Sequence, residues 1–335
     1  TNAARPTLLA ANPGVEQSFV SLTPPSGPVD RFDLFYWSIG RQSEEGFEVL
    51  MPGVDARLSS RFVPGSYKVE GSTDSGEFCV YVFDPTGPPK RLAMNFYTVG
   101  IGMSGAELAE DRHWLETLEL IEDKLAEHGI TLDRQQLGYF SMSELEAAKY
   151  GTIRNYEDFD ALLRLAQFPS QPSDDELLRL NVFLIDQFDI DGRSVLGLAP
   201  LWGIPGAHGC RKGGVAVAAG EMLGSGFFVL DESRPECFVW SPPDDCLLYR
   251  LGNRNLAMVI IHEAGHFFGL LHTSEFDGRT FDAFDDTPEC HFAADPTYPC
   301  QDARNIMFPM VREEYDPSFS ASQLDLIMRN PLVQP

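Results

Sequence analysis

The sequence is informative first for what it lacks. No apolar run approaches the roughly 18–20 residues that a membrane-spanning helix needs, so no span is expected. Basic residues are scarce, 25 against 50 acidic ones, for a formal net charge of −25 at pH 7. A surface of that sign repels phosphates, which argues against nucleic acid as a partner and against docking on anionic lipid. The six cysteines include no Cys-x-x-Cys pair, which leaves a cysteine-only zinc site or a thioredoxin-type redox motif without support. No histidine precedes His113, so the first quarter of the chain offers no histidine-based chemistry. The chain starts at Thr1 rather than Met and shows no basic-then-apolar leader, the pattern expected of a processed form.

What is present reads as a globular protein. At about 100–200 residues per domain, 335 residues suit two domains or one large domain with an appendage. Hydrophobic residues make up 43% and charged residues 22%, enough apolar material for a substantial core. Residues 1–88 read as an all-β accessory domain or prodomain remnant. Short apolar-rich runs at Gln17–Leu22, Arg31–Ile39, Phe47–Leu50, Tyr67–Glu70 and Phe78–Phe83 alternate with Pro, Gly, Ser and Asp, as in a small sandwich. The stiff segment Asp84-Pro-Thr-Gly-Pro-Pro-Lys90 marks the boundary.

Beyond it, strands alternate with helices. Strands are expected at Leu92–Val99, Leu137–Met142, Asn181–Asp186, Val195–Trp202 and Gly214–Ala219, and one long helix from the capping box Ser104-x-x-Glu107 to about His128. A second helix is expected over Asn155–Gln167. The near-continuous apolar run Asn-Val-Phe-Leu-Ile-Asp at 181–186 suits a strand buried on both faces of a mostly parallel sheet. Pro200 and Pro205 confine the Val195–Trp202 strand to an edge.

The chemistry is concentrated in a helix read over Asn255–Leu271. It contains His262-Glu-Ala-Gly-His266-Phe-Phe-Gly269-Leu-Leu-His272. His262 and His266, four residues apart, project from one helical face and can share one Zn²⁺. Gly269 can take positive φ, letting the chain leave the helix so that His272 returns as a third ligand. Three protein ligands leave a coordination position open, the mark of a catalytic site. Glu263 stands on the same rim, placed as a base rather than a ligand.

This pattern resembles the metzincin clan of zinc metalloproteases. The likeness extends to Asn305-Ile-Met307-Phe-Pro309, 35 residues after His272, which fits the clan's Met-turn; by similarity Met307 packs beneath the imidazoles. Pro309 stands where some members have a liganding Tyr, and this Met-x-Pro form looks like adamalysins. The Asp285-Asp-Thr-Pro-Glu-Cys290 stretch looks like pappalysins. The resemblance covers residues of about 90–335. It implies an α/β (α+β) metzincin catalytic domain at 89–335, with a mixed, mostly parallel sheet and an active-site helix, preceded by the small all-β domain. An upper subdomain (89–272) and a lower one (273–335) would flank the cleft. It also implies a secreted zinc endopeptidase that acts on protein or peptide substrates, with Glu263 handling the proton. The substrate would add as a strand to an antiparallel sheet edge, for which Leu196, Gly197, Leu198 and Ala199 are the candidates. A non-catalytic binding or adhesion protein on the same scaffold is the alternative. Oligomeric state and the residue preferred beside the scissile bond are not legible.

Asp277, Asp282, Asp285, Asp286 and Asp295 cluster after the third histidine. Asp282, Asp285 and Asp286 are candidate Ca²⁺ ligands, as the pappalysin likeness implies, with a solvated acidic loop as the competing reading. An EF-hand at Gln187–Leu198 is rejected, since Gln and Leu occupy the first and last ligand positions. Cys237/Cys246 and Cys290/Cys300 bracket short loops and suggest disulfides, hence an oxidising compartment, which leaves Cys79 and Cys210 over. His208 and His291 lie in loops that could approach the cleft. Ser320-x-x-Gln323 is a capping box opening a C-terminal helix at Ala321–Arg329.

Overall fold

A computed structural model describes residues 90–166, 179–190, 195–200, 213–226, 251–291, 299–310, 316–328, 330 and 332–333 with their side chains. Elsewhere it describes the backbone of eight strands. Six of these lie before residue 84: β1 (Thr7–Pro13), β2 (Val20–Thr23), β3 (Gln42–Ser43), β4 (Gly46–Met51), β5 (Lys68–Gly71) and β6 (Cys79–Phe83). All their pairings are antiparallel, in the order β3-β4-β1-β6 with β2 against β5. β1 and β3 have no counterpart among the strands read from the sequence. The expected strand at 31–39 and the boundary at 84–89 lie outside the described residues.

From residue 90 the chain builds a six-stranded sheet: β7 (Lys90–Val99), β8 (Ile130–Leu132), β9 (Gly138–Ser141), β11 (Arg179–Ile185), β13 (Gly197–Leu198) and β14 (Val215–Ala218). β10 (Thr152–Ile153) and β12 (Gln187–Phe188) form a separate parallel pair. The main order is β13-β14-β11-β7, with β8 and β9 both on the far side of β7. Every pairing is parallel except β13 with β14. β7 and β11 are buried over nearly their whole length, as expected of strands covered on both faces. Within this apolar layer Asn95 donates to Asn181 Oδ1 at 2.9 Å, and Asn181 donates to the Gly213 carbonyl at 2.9 Å. Each buried amide thereby finds a partner.

The helix expected over 104–128 is two helices, α1 (Gly105–Glu110) and α2 (Arg112–Glu127). Asp111 breaks it: the residue is extended (ψ 128°), and its carboxylate accepts from Trp114 N–H as the N-cap of α2. Asp hydrogen-bonds nearby backbone in competition with continued helix. Gly129, at φ 74°, ends α2. α3 (Glu144–Tyr150) was not expected, although Ser143 and Glu146 form a capping box. α4 (Tyr156–Leu163) is shorter than the predicted 155–167. α5 (Ala219–Met222) follows β14; β15 (Phe228–Leu230) and β16 (Leu247–Arg250) pair antiparallel.

α6 (Leu251–Phe267) carries the histidine motif and packs on α2 and β14. It begins four residues before the predicted start. Its buried residues lie all around the axis, from Asn253 and Leu256 to Ala264 and Phe267, so α6 is a core helix rather than a one-sided amphipath. Asn253 ties it to α2 and to the turn after α5, donating to Glu116 and accepting from Gly224 N–H. After α6 the chain places Met307 against Gly265 of that helix and later forms α7 (Ala321–Ile327), opened by the capping box of Ser320 and Gln323. Lys124 of α2, almost fully buried, reaches Asp316 at 2.7 Å and Glu127 at 2.8 Å, joining α2 to the segment before α7.

Candidate metal centre

His262 and His266 project from the last two turns of α6. The helix then unwinds through Gly269, whose φ of 104° favours glycine. His272 is thereby returned to face the other two. The Nε2 atoms of His262 and His272 lie 3.2 Å apart, and those of His266 and His272 3.1 Å apart. Ligand atoms placed 2.0–2.1 Å from one tetrahedral ion would be separated by roughly 3.3 Å.

The opposite ring nitrogens decide what this convergence means. His262 Nδ1 donates to the Ile306 carbonyl at 2.7 Å, and His266 Nδ1 to the Leu270 carbonyl at 2.8 Å. His272 Nδ1 faces Glu275 Oε1 at 3.0 Å, and that hydrogen bond holds the Glu275 carboxyl below its ordinary range. Carbonyls and carboxylates accept only, so each Nδ1 carries a proton, and in the neutral ring each Nε2 presents a lone pair. Burial, reinforced by the neighbouring rings, drives His262 well below the usual imidazole range. Burial and His272 lower His266 to about 4. Three Nε2 atoms this close, each with its Nδ1 proton already engaged, are spaced to share one cation, so the donor set fits a divalent metal of zinc type.

Glu263 lies on the same helix, buried to 6% exposure, and burial pushes its carboxyl up to about 8. It faces Gly197 of β13 so closely that a Cβ there would come within 2.5 Å of its Cγ and Oε1. Leu196, Gly197, Leu198 and Ala199 line one wall of a cleft of about 650 Å³, together with the three histidines, Glu263 and Glu275. β13 is the antiparallel edge of the main sheet. The remaining lining is mostly apolar, including Val259, Phe276, Phe308 and Pro309.

Met307 is fully buried and packs its sulfur directly against Gly265, between the first two histidines. Its turn is shaped by Asn305, which accepts from Met307 N–H at 2.8 Å and donates to Gln323 Oε1 at 2.8 Å. The same Gln323 oxygen takes Ser320 N–H at 2.9 Å, so α7 braces the turn.

Cys290 and Cys300 form a disulfide with an S–S distance of 2.01 Å. Cys210, Cys237 and Cys246 lie outside the described residues, as does the side chain of Cys79. Asp282, Asp285 and Asp286 are not assembled into a metal-ligating group among the described residues. Asp282 accepts from Thr287 and from Phe284 N–H. Asp286 accepts from Ser320 and from Ser322 N–H at the start of α7, both at 2.9 Å. Asp285 is exposed. His291 holds the Gly278 carbonyl at 2.9 Å and is not part of the cleft lining; His208 lies outside the described residues.

Sequence reasoning missed three contributors. Glu275, three residues after His272, was detectable as an acid near a ligand. Asn305 was read only as part of the turn. Asp302, buried and accepting from Thr273 at 2.9 Å and Ser274 at 2.6 Å, depends on distant contacts and left no local signal.

The sequence matches no protein-family model and no curated protein. Among solved structures, metalloproteinase-II from Bacteroides fragilis is similar over 74% of this chain and 54% of its own, at 13% identity and a TM-score of 0.37. This chain thus spans about half of that protein's length. Mirolysin, in complex with a compound, is similar over 73% of this chain and 97% of its own, at 13% identity and a TM-score of 0.44.

Proposed function

We propose that the chain is a secreted zinc-dependent endopeptidase of metzincin type. The observation that carries this reading is the convergence of three imidazole Nε2 atoms beside a buried carboxyl, in a cleft edged by an antiparallel strand. His262, His266 and His272 would hold the ion. Zn²⁺, when bound, polarises a carbonyl oxygen, lowers the pKa of a water and, as a dication, favours the ionised form of a carboxyl beside it.

The protein's own groups supply the rest. Glu263 takes a proton from the attacking water on its carboxylate and returns it to the departing amine, so no net proton is consumed in breaking the peptide bond. Gly197 leaves room for that carboxylate. β13 offers main-chain groups to an extended peptide, which binds as a further strand. The mostly apolar walls leave side-chain selection to their shape. The Cys290–Cys300 disulfide supports an oxidising, extracellular setting. The Met-x-Pro turn and the acidic loop support a place near the adamalysins and pappalysins. By the pappalysin likeness, that loop is also proposed to take Ca²⁺.

Glu263→Gln tests the reading. It should keep zinc at wild-type stoichiometry while cleavage of casein or gelatin falls by at least about 10³-fold. Cleavage undiminished in that variant overturns the role of Glu263. Zinc bound with no cleavage of a broad peptide library by the wild-type chain favours a binding protein instead.

A further inference from the structure

We propose that Glu275 is a positioning residue: its carboxylate fixes His272 in the tautomer and orientation needed for ligation, and so sets how tightly the site holds zinc. The inference rests on the metal reading above and is independent of peptidase activity.

The three histidines are not equally secured. His262 and His266 stand on α6, and their Nδ1 protons go to backbone carbonyls, Ile306 and Leu270, which the fold holds in place. His272 comes five residues after the helix ends, beyond the turn at Gly269. Its Nδ1 is held by a side chain, Glu275 Oε1, at 3.0 Å. Without that acceptor an imidazole is free to rotate or to move its proton to Nε2. Either change replaces the lone pair aimed at His262 and His266 with an N–H or with nothing.

Glu275 is itself built into a fixed turn. Its N–H donates to Thr280 O at 2.8 Å, and its carbonyl accepts from Gly278 N–H at 3.0 Å. Asp277 closes the turn by accepting from the N–H groups of Arg279 and Thr280 at 2.8 and 2.9 Å. The carboxylate therefore reaches His272 from a backbone already in place, so little ordering is needed when metal binds. A carboxylate on the distal nitrogen also makes the ligating nitrogen more basic. The side chain is 39% exposed at the cleft rim, so truncating it opens no cavity in the core.

The test is zinc affinity of the full chain, stripped of metal and titrated against a chromophoric chelator. Glu275→Ala should bind zinc about 10–100-fold more weakly than wild type. Metal-free Glu275→Ala should melt with wild-type Tm, and the visible spectrum of its Co²⁺ form should change. Glu275→Gln, whose amide oxygen still accepts from Nδ1–H, should recover most of the affinity. Wild-type affinity and Co²⁺ spectrum in Glu275→Ala overturn the proposal, as does Glu275→Gln falling as far as Glu275→Ala. A wild-type chain that binds no zinc overturns the metal reading, and this inference with it.

Discussion

Gly197→Ala separates the geometry of the site from its composition, because it removes no ligand and no catalytic group. The new Cβ would lie 2.5 Å from Glu263 Cγ and Oε1 and 2.7 Å from Cδ. Carbon atoms pack comfortably at about 3.5 Å, so the two sides must separate by roughly 1 Å. Glu263 Cγ is not the loose end of a side chain: it is one bond from a Cβ fixed by α6, and the residue is buried. β13 is a two-residue edge strand and yields in part. The remainder of the displacement falls on the carboxylate. Misplacing a reacting group by about 1 Å costs on the order of 10²-fold in rate, equivalent to about 2.7 kcal/mol of transition-state stabilisation. Steady-state kinetics on a cleavable peptide should show a loss of that order, mainly in kcat, with zinc content unchanged and Tm shifted by only a few degrees. A variant with wild-type kcat would refute the claim that Gly197 makes room for a working carboxylate.

Three further outcomes are expected. In Gly265→Ala, about 1 kcal/mol of helix propensity gained competes with roughly 1–3 kcal/mol of overpacking where the Cβ meets the Met307 sulfur; overpacking should win, and a raised Tm would contradict it. Opening the Cys290–Cys300 bridge, which spans 10 residues, should cost about 3 kcal/mol in the loop-entropy view, read as a lower denaturant midpoint for Cys290→Ser/Cys300→Ser; an unchanged midpoint would count against it. Burial holds Asp282 up at about 6, against an ordinary 3.8. A raised carboxyl favours the folded state most fully below the unfolded value, and that advantage is lost as pH rises through about 6. Asp282→Asn should therefore gain stability relative to wild type between about pH 4 and 7; a Tm difference flat across that range would show no such coupling.

The convergence of the three histidines was legible because it is local: two histidines one helical turn apart, a glycine able to leave the helix, and a third histidine within reach. The buried parallel strand around 181–186 was legible for the same reason, since a short apolar run bounded by polar residues has few other homes. Asp111 was misread because an apolar periodicity continues across it, while its side chain caps the following turn. β8 and α3 are short and depend on neighbours for their burial. The braces of the centre were the hardest to see. Gln323 supports Asn305 from 18 residues away, and Asp302 joins Thr273 and Ser274 across 28–29 residues. Such pairings exist only once the chain has folded, and nothing in residue spacing announces them.

The central claim is that three histidines hold one zinc ion. Elemental analysis of the purified full chain, before and after His266→Ala and His272→Ala, tests it most directly. One zinc per wild-type chain is expected, with substoichiometric zinc in each variant and loss of peptide cleavage in step with the metal. Zinc retained at one per chain in both variants, or absent from a wild-type chain incubated with it, would contradict the account.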